Sequence, residues 1–249
     1  MLLALESGAV KNPRHKRVLL KLSGEALLGD QKNGVSLDAC EQIAISVKEL
    51  VDIGVQVGLV IGGGNIFRGG NASKIGIERT PADHIGMLAT IINGIALQQA
   101  FEAIRCESRI MSAISCDVMA EPYSWKRAIQ YLEKNIVILF VGGTGNPYFS
   151  TDSAAALRAL EIKAELLLKA TKVDGVYDKD PIKHPNAKKF ERITYAEVIA
   201  KRLQVMDSTA IALCWENKIP IQVFNLFEHS LKSVLFNEKL GTLVVGESL

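Results

Sequence analysis

Three stretches of this chain carry residues suited to chemistry. A lysine closes an otherwise apolar run, Arg17-Val18-Leu19-Leu20-Lys21-Leu22, followed by Ser23-Gly24. An arginine lies in a glycine loop, Gly62-Gly63-Gly64-Asn65-Ile66-Phe67-Arg68-Gly69-Gly70. A second glycine loop runs Gly142-Gly143-Thr144-Gly145-Asn146-Pro147-Tyr148-Phe149-Ser150-Thr151-Asp152. A lysine within a buried run is costly unless an anion accompanies it. Arginine presents a planar fork that matches phosphate oxygens. A glycine loop between a strand and a helix gathers free N–H groups at the positive end of the helix dipole. The ligand common to all three is phosphate. Each also has a plainer reading: glycines that only turn the chain, Arg68 as a solvated loop charge, and Lys21 as a lysine on an exposed face.

The elements that must position these residues follow from hydrophobic patterning. Ile136 to Val141 is a short unbroken apolar run, as expected of a strand buried on both faces of a parallel sheet. Further strands are expected at Arg17–Leu22, Val55–Ile61, Ser108–Ala113, Ala164–Ala170, Ile219–Phe224 and Thr242–Val245. Between them, Ser36 caps a helix ending at Gly54, and Thr80 with Pro81 opens a long one. Helices are also expected from Ser124 to Lys134, after a cap at Ser150, Thr151 or Asp152, from Tyr195 to Lys201, from Asp207 to Asn217, and once more before the last strand. This alternation predicts an α/β fold, a mostly parallel sheet covered on both faces. No linker or repeat divides it, so residues 17–249 are expected to form one domain behind a flexible extension over 1–16. In such a sheet the strand ends line one rim, where ligands bind. Four ends carry suitable loops: the Lys21 end, the Gly62 loop, the Gly142 loop, and Thr171-Lys172-Val173-Asp174-Gly175-Val176-Tyr177.

Composition narrows the function. The net charge of +2 over 249 residues gives no general attraction to nucleic acid or membrane. Cys40, Cys106, Cys116 and Cys214 lack a C-x-x-C pair and read as small core residues of a reduced, intracellular protein, with no metal site. No run approaches a membrane span, and the opening apolar residues are too few for a signal sequence, so a soluble cytoplasmic protein is expected. Neither G-x-x-x-x-G-K-[ST] nor G-x-G-x-x-G occurs.

Taken in order, Lys21-Leu22-Ser23-Gly24-Glu25-Ala26-Leu27, Gly62-Gly63-Gly64-Asn65 with Arg68, Asp83-His84 before Gly86-Met87-Leu88-Ala89-Thr90, the Gly142 to Asp152 loop, Lys169 to Tyr177 and Val205-Met206-Asp207 resemble the amino acid kinase family, in its bacterial uridylate kinase branch. The resemblance covers nearly the whole chain from Arg17 onward. It implies a three-layer α/β/α sandwich and a homohexameric nucleoside monophosphate kinase that phosphorylates UMP with Mg2+ and ATP, with the acceptor site mainly in the first half and the ATP site mainly in the second. It places Lys21, Leu22, Ser23, Gly24, Gly64 and Arg68 at the ATP phosphates and Thr171, Tyr177 and Asp180 at the nucleoside of ATP. Gly63, Asp83 and the loop Thr144, Gly145, Asn146, Pro147, Tyr148, Phe149, Ser150 and Thr151 would hold UMP, with Asp83 on the ribose. Lys21, Arg68, Asp152 and Asp207 would be catalytic, the two aspartates orienting cations. From residues alone, Asp83 does no more than favour a helix N-terminus, and Tyr177 either lies against a base or packs on its own loop. The resemblance implies UTP as an inhibitor. The segment Gly29-Asp30-Gln31-Lys32-Asn33-Gly34 departs from the one linked to GTP activation, which leaves that property in doubt. The rival readings are a relative acting on an acyl acceptor such as aspartate, a nucleotide-binding or storage protein without catalysis, and a purely structural protein.

Overall fold

Apolar runs of five or six residues build the middle of the sheet, because a strand covered on both faces has no polar side to alternate with. The computed structural model describes residues 13–69 and 76–246. The first twelve residues of the expected N-terminal extension and Gly70 of the first glycine loop lie outside them. Strands β1 (Arg17–Leu22), β2 (Gln56–Ile61), β3 (Ser108–Ser112), β4 (Glu121–Pro122), β5 (Val137–Val141) and β6 (Leu166–Thr171) are followed by β7 (Val176–Tyr177) and β8 (Lys189–Phe190), and then by β9 (Arg192–Thr194), β10 (Ile221–Asn225) and β11 (Thr242–Val245). Nine of them form one sheet in the order β4-β3-β5-β2-β1-β6-β10-β11-β9, while β7 and β8 pair as a separate hairpin. Within the sheet only β10 and β11 run antiparallel.

Helices α1 (Leu37–Asp52), α2 (Arg79–Ala103) and α7 (Leu231–Phe236) cover one face, where Val18, Leu20 and Leu22 of β1 point into a core with Cys40, Leu97 and Leu235. Helices α3 (Trp125–Leu132), α4 (Thr151–Glu161), α5 (Tyr195–Ala200) and α6 (Ser208–Glu216) cover the other, where Leu19 and Leu167 pack with Ala128, Ala155, Tyr195 and Cys214. The result is the expected three-layer sandwich. Burial pushes the Cys40 thiol up to about 11 and the Cys214 thiol up to about 12, as befits small core residues.

Ser36 caps α1 as expected, Ser150 is the one of the three candidates that caps α4, and Asp207, expected as the first residue of its helix, caps α6. Thr80 is the exception: α2 begins earlier, with Glu78 as its cap residue and Pro81 inside the first turn. The extra residues let Arg79 Nε bond Asp83 Oδ2 at 2.7 Å across one turn, which the shorter helix would forgo. The sequence does not reveal the short strands β4, β7, β8 and β9; β8 lies inside the charged stretch from Lys183 to Arg192 and β9 starts at its last residue. Two or three residues show no periodicity, and the charged β9 occupies a sheet edge.

Candidate active site

The four loop-bearing strands β5, β2, β1 and β6 are adjacent in the sheet, so their carboxyl ends form one continuous rim. Lys21 and Lys169 pair in register across β1 and β6. Side chains alternate faces along a strand, so Lys21 shares the face of Leu19 and Lys169 that of Leu167, both toward α4. There the first turn of α4 places Asp152 between them. Lys169 Nζ donates to Asp152 Oδ2 at 2.8 Å and to the Val205 carbonyl at 2.5 Å. Lys21 Nζ stands 2.7 Å from Asp152 Oδ1, yet that oxygen accepts no aligned hydrogen bond among the described residues. The two lysines thus flank one carboxylate, each against a different oxygen.

Burial works against the Asp152 carboxylate, but the Lys21 and Lys169 ammonium groups outweigh it and hold its pKa below the usual carboxylate range. Burial likewise pulls the Lys169 pKa below that of an ordinary lysine, with Asp152 opposing it.

Lys21, Ser23, Lys169 and Thr171 line a cavity of about 260 Å³, together with Glu25 and Lys172 at its mouth. Glu25 pairs with Arg68 through Oε1 and with Lys172 through Oε2, the latter at 2.8 Å. Leu22 is fully buried, leaving only its backbone to serve a ligand. Gly24 has no room for a side chain: a Cβ there would stand 2.4 Å from Asn65 Oδ1 and 2.6 Å from the Gly62 carbonyl.

Helix α2 fixes both glycine loops. Buried Asn93 donates to the Gly62 carbonyl at 2.7 Å and exchanges amide hydrogen bonds with Asn65 at 2.8 and 2.9 Å. Three residues earlier, buried Thr90 accepts the Gly142 N–H at 2.7 Å while donating to the Met87 carbonyl. The two loops are thereby registered on one rigid element.

A second cavity, of about 160 Å³, is lined by Gly63, Gly64, Asp83, Phe149, Ser150 and Thr151. Thr144, Asn146 and Phe149 line a further one of about 130 Å³ with Ser153 and Leu213. The loop between is tightly wound, with positive φ at Gly142, Gly143, Gly145 and Tyr148. Tyr148 tolerates φ 71° because its N–H donates to Asp83 Oδ2 at 2.7 Å and its ring lies under the Arg79 guanidinium. Asp83 is thus a brace between α2 and the loop, and its Oδ1 bonds no described residue. Asp207 caps α6 through Ala210 N–H at 2.8 Å and also accepts from Ser150, from Ser153 Oγ at 2.9 Å and from Ser153 N–H at 3.2 Å. It sits with hydroxyl and amide donors rather than with a cation.

The structure brings Lys21, Ser23, Gly24, Thr171, Asp152 and Arg68 to one rim, and Gly63, Gly64, Asp83, Thr144, Asn146, Phe149, Ser150 and Thr151 to its neighbour. Gly145, Pro147 and Tyr148 shape the loop without lining either of these two cavities. Tyr177 and Asp180 stand apart from the lysine-lined cavity: the Tyr177 hydroxyl donates to Asp174, and Asp180 accepts the Ile182 N–H at 3.0 Å. Sequence reading missed Lys169, although it breaks an apolar strand as Lys21 does. It also passed over Asn93 and Thr90, polar residues on the inner side of an amphipathic helix.

A sequence model of the amino acid kinase family matches residues 16–225. A uridylate kinase of Protochlamydia amoebophila (strain UWE25) is 58% identical over 232 residues, spanning 92% of each chain. The crystal structure of a UMP kinase from Bacillus anthracis superposes with a TM-score of 0.90 at 38% identity, covering 94% of this chain and 97% of that one. A UMP kinase from Ureaplasma parvum superposes with a TM-score of 0.87 at 37% identity, covering 94% of this chain and all of that one.

Proposed function

The chain belongs to the amino acid kinase family, and from that premise we propose that it is a nucleoside monophosphate kinase that moves the terminal phosphoryl group of ATP to UMP, giving UDP and ADP for pyrimidine nucleotide synthesis. The observation that carries this reading is the position of Asp152: its carboxylate holds the two lysines of one cavity, and the preceding residue, Thr151, lines the next. A donor in the first cavity and an acceptor in the second would meet at the ammonium groups.

The acceptor phosphate is already an anion at neutral pH, so the step needs positioning and charge neutralisation rather than a general base. Lys21 and Lys169 would stabilise the transferring group, held at fixed spacing by Asp152. Arg68 and the N–H groups of the Gly62 loop would hold donor phosphates. Asp83 Oδ1 would accept from the acceptor ribose while Oδ2 keeps the loop in place. Asp207 would act as a positioning residue through Ser150 and Ser153. Thr171 would line the donor pocket, with Tyr177 and Asp180 at its outer edge. Among the described residues no group of three His, Cys, Asp or Glu side chains could hold a metal ion. Asp152 and Asp207 are already engaged, so the donor set fits Mg2+ carried in on the nucleotide phosphates, where it neutralises their charge. No described helix is long and apolar enough to cross a membrane. A cytoplasmic homohexamer inhibited by UTP completes the reading.

The test is ADP release from Mg-ATP with UMP, CMP, dTMP, aspartate and glutamate offered separately. A selective rate with UMP is expected. Turnover with an amino acid alone would overturn the roles given to Asp83 and the Thr144 loop.

A further inference from the structure

Glu25 and Lys172 have no part in that scheme, yet they stand at the mouth of the donor cavity. Glu25 lies on a short helical turn, Gly24–Leu27, directly after the Lys21 strand, and its side chain is 25% exposed. Its two oxygens engage two cations from different parts of the rim: Arg68 from the first glycine loop and Lys172 from the loop after β6. Both cations are largely solvent-exposed, and exposed ion pairs add little to stability. A brace for the fold is therefore a poor explanation for three charged residues converging here. Deeper in the cavity the two lysines already have their carboxylate, Asp152, which α4 holds fast. The rim thus repeats the pattern of the floor, two cations on one carboxylate, but with side chains open to solvent.

Resting on the donor-site reading above, we propose that Lys172 is a further phosphate-binding residue of that site and that Glu25 is its exchangeable counter-anion. Glu25 holds Arg68 and Lys172 in the nucleotide-free protein, gives them up to the entering phosphates, and takes them back as ADP leaves. The exchange keeps the rim from holding polyphosphate too tightly, because apparent affinity is reduced by the fraction of molecules whose cations are free.

The experiment is calorimetric titration of the full-length protein with Mg-ADP and, separately, with inorganic tripolyphosphate, for the wild type, Glu25→Gln and Lys172→Gln. Glu25→Gln is expected to bind both probes about five- to tenfold more tightly and to release ADP correspondingly more slowly. Lys172→Gln is expected to weaken both. Glu25→Asp, too short to span the two cations, should fall between the wild type and Glu25→Gln. If the wild type binds both probes and Glu25→Gln binds them no more tightly, the exchange role is wrong while the donor site stands. If the wild type binds neither, the donor-site reading fails and the exchange role with it.

Discussion

Asp152 faces two ammonium groups with one carboxylate, so its substitution and that of either lysine have opposite consequences. In Lys21→Ala, Asp152 keeps Lys169 as its partner, and the fold is expected to survive while kcat falls about a hundred- to a thousandfold. Lys169→Ala should lose a similar factor, measured as ADP release at saturating UMP; near-normal turnover would remove that lysine from the mechanism. Asp152→Asn instead leaves two buried ammonium groups uncompensated, and unfolding in urea should show a loss of about 3–5 kcal/mol at neutral pH. The pH dependence follows from the sign of the shift. The Asp152 carboxyl titrates lower in the folded protein than in the unfolded chain, so its contribution is complete above the ordinary carboxylate value and drains away as pH falls below it toward the folded value. Wild-type stability should therefore drop below about pH 4, and Asp152→Asn should lack that part of the acid limb. Lys21 was legible in the sequence because it interrupts an apolar run; Lys169 interrupts one too, but only the β1–β6 register shows that the two face the same aspartate. Distance across strands is not written in spacing along the chain.

At the scale of elements, α2 decides where both glycine loops lie, through Thr90 and Asn93. Thr90→Val keeps the shape of the side chain and removes the acceptor for the buried Gly142 N–H. The expected cost is about 1–3 kcal/mol, with KM for the acceptor raised more than kcat is lowered. Steady-state kinetics and a melting curve check both; an unchanged KM would mean that the loop holds its shape without the helix. The long strands, the main helices and the cap at Ser36 are readable, since each has a run, a period or a cap residue of its own, whereas Ser150 stands beside two other candidate caps and Asp207 reads as part of its helix. Thr80 misled because a plausible cap lost to an ion pair one turn away, Arg79 to Asp83. Asp83 likewise reads as a helix-end charge until the loop carrying Tyr148 is seen against it.

At the scale of the molecule, the outer side of α2 exposes Ile85, Leu88 and Ile92, a stripe at helical spacing. If copies of the chain assemble through it, Leu88→Asp should shift sedimentation toward smaller species while leaving the far-ultraviolet spectrum of the subunit intact. An unchanged sedimentation coefficient would place any interface elsewhere. The inner side of the same helix has a different consequence, in how fast parts of the chain breathe. Gly142 belongs to a surface loop, whose amides ordinarily trade hydrogen with water quickly, but its own N–H is buried on Thr90. Its exchange should be slow, like that of a core strand, and the Tyr148 amide, held by Asp83, should be slowed too, while the exposed Phe149 amide exchanges fast. The loop is then pinned at its root by Thr90 and at its crest by Asp83, so an arriving acceptor meets a segment already shaped at both points.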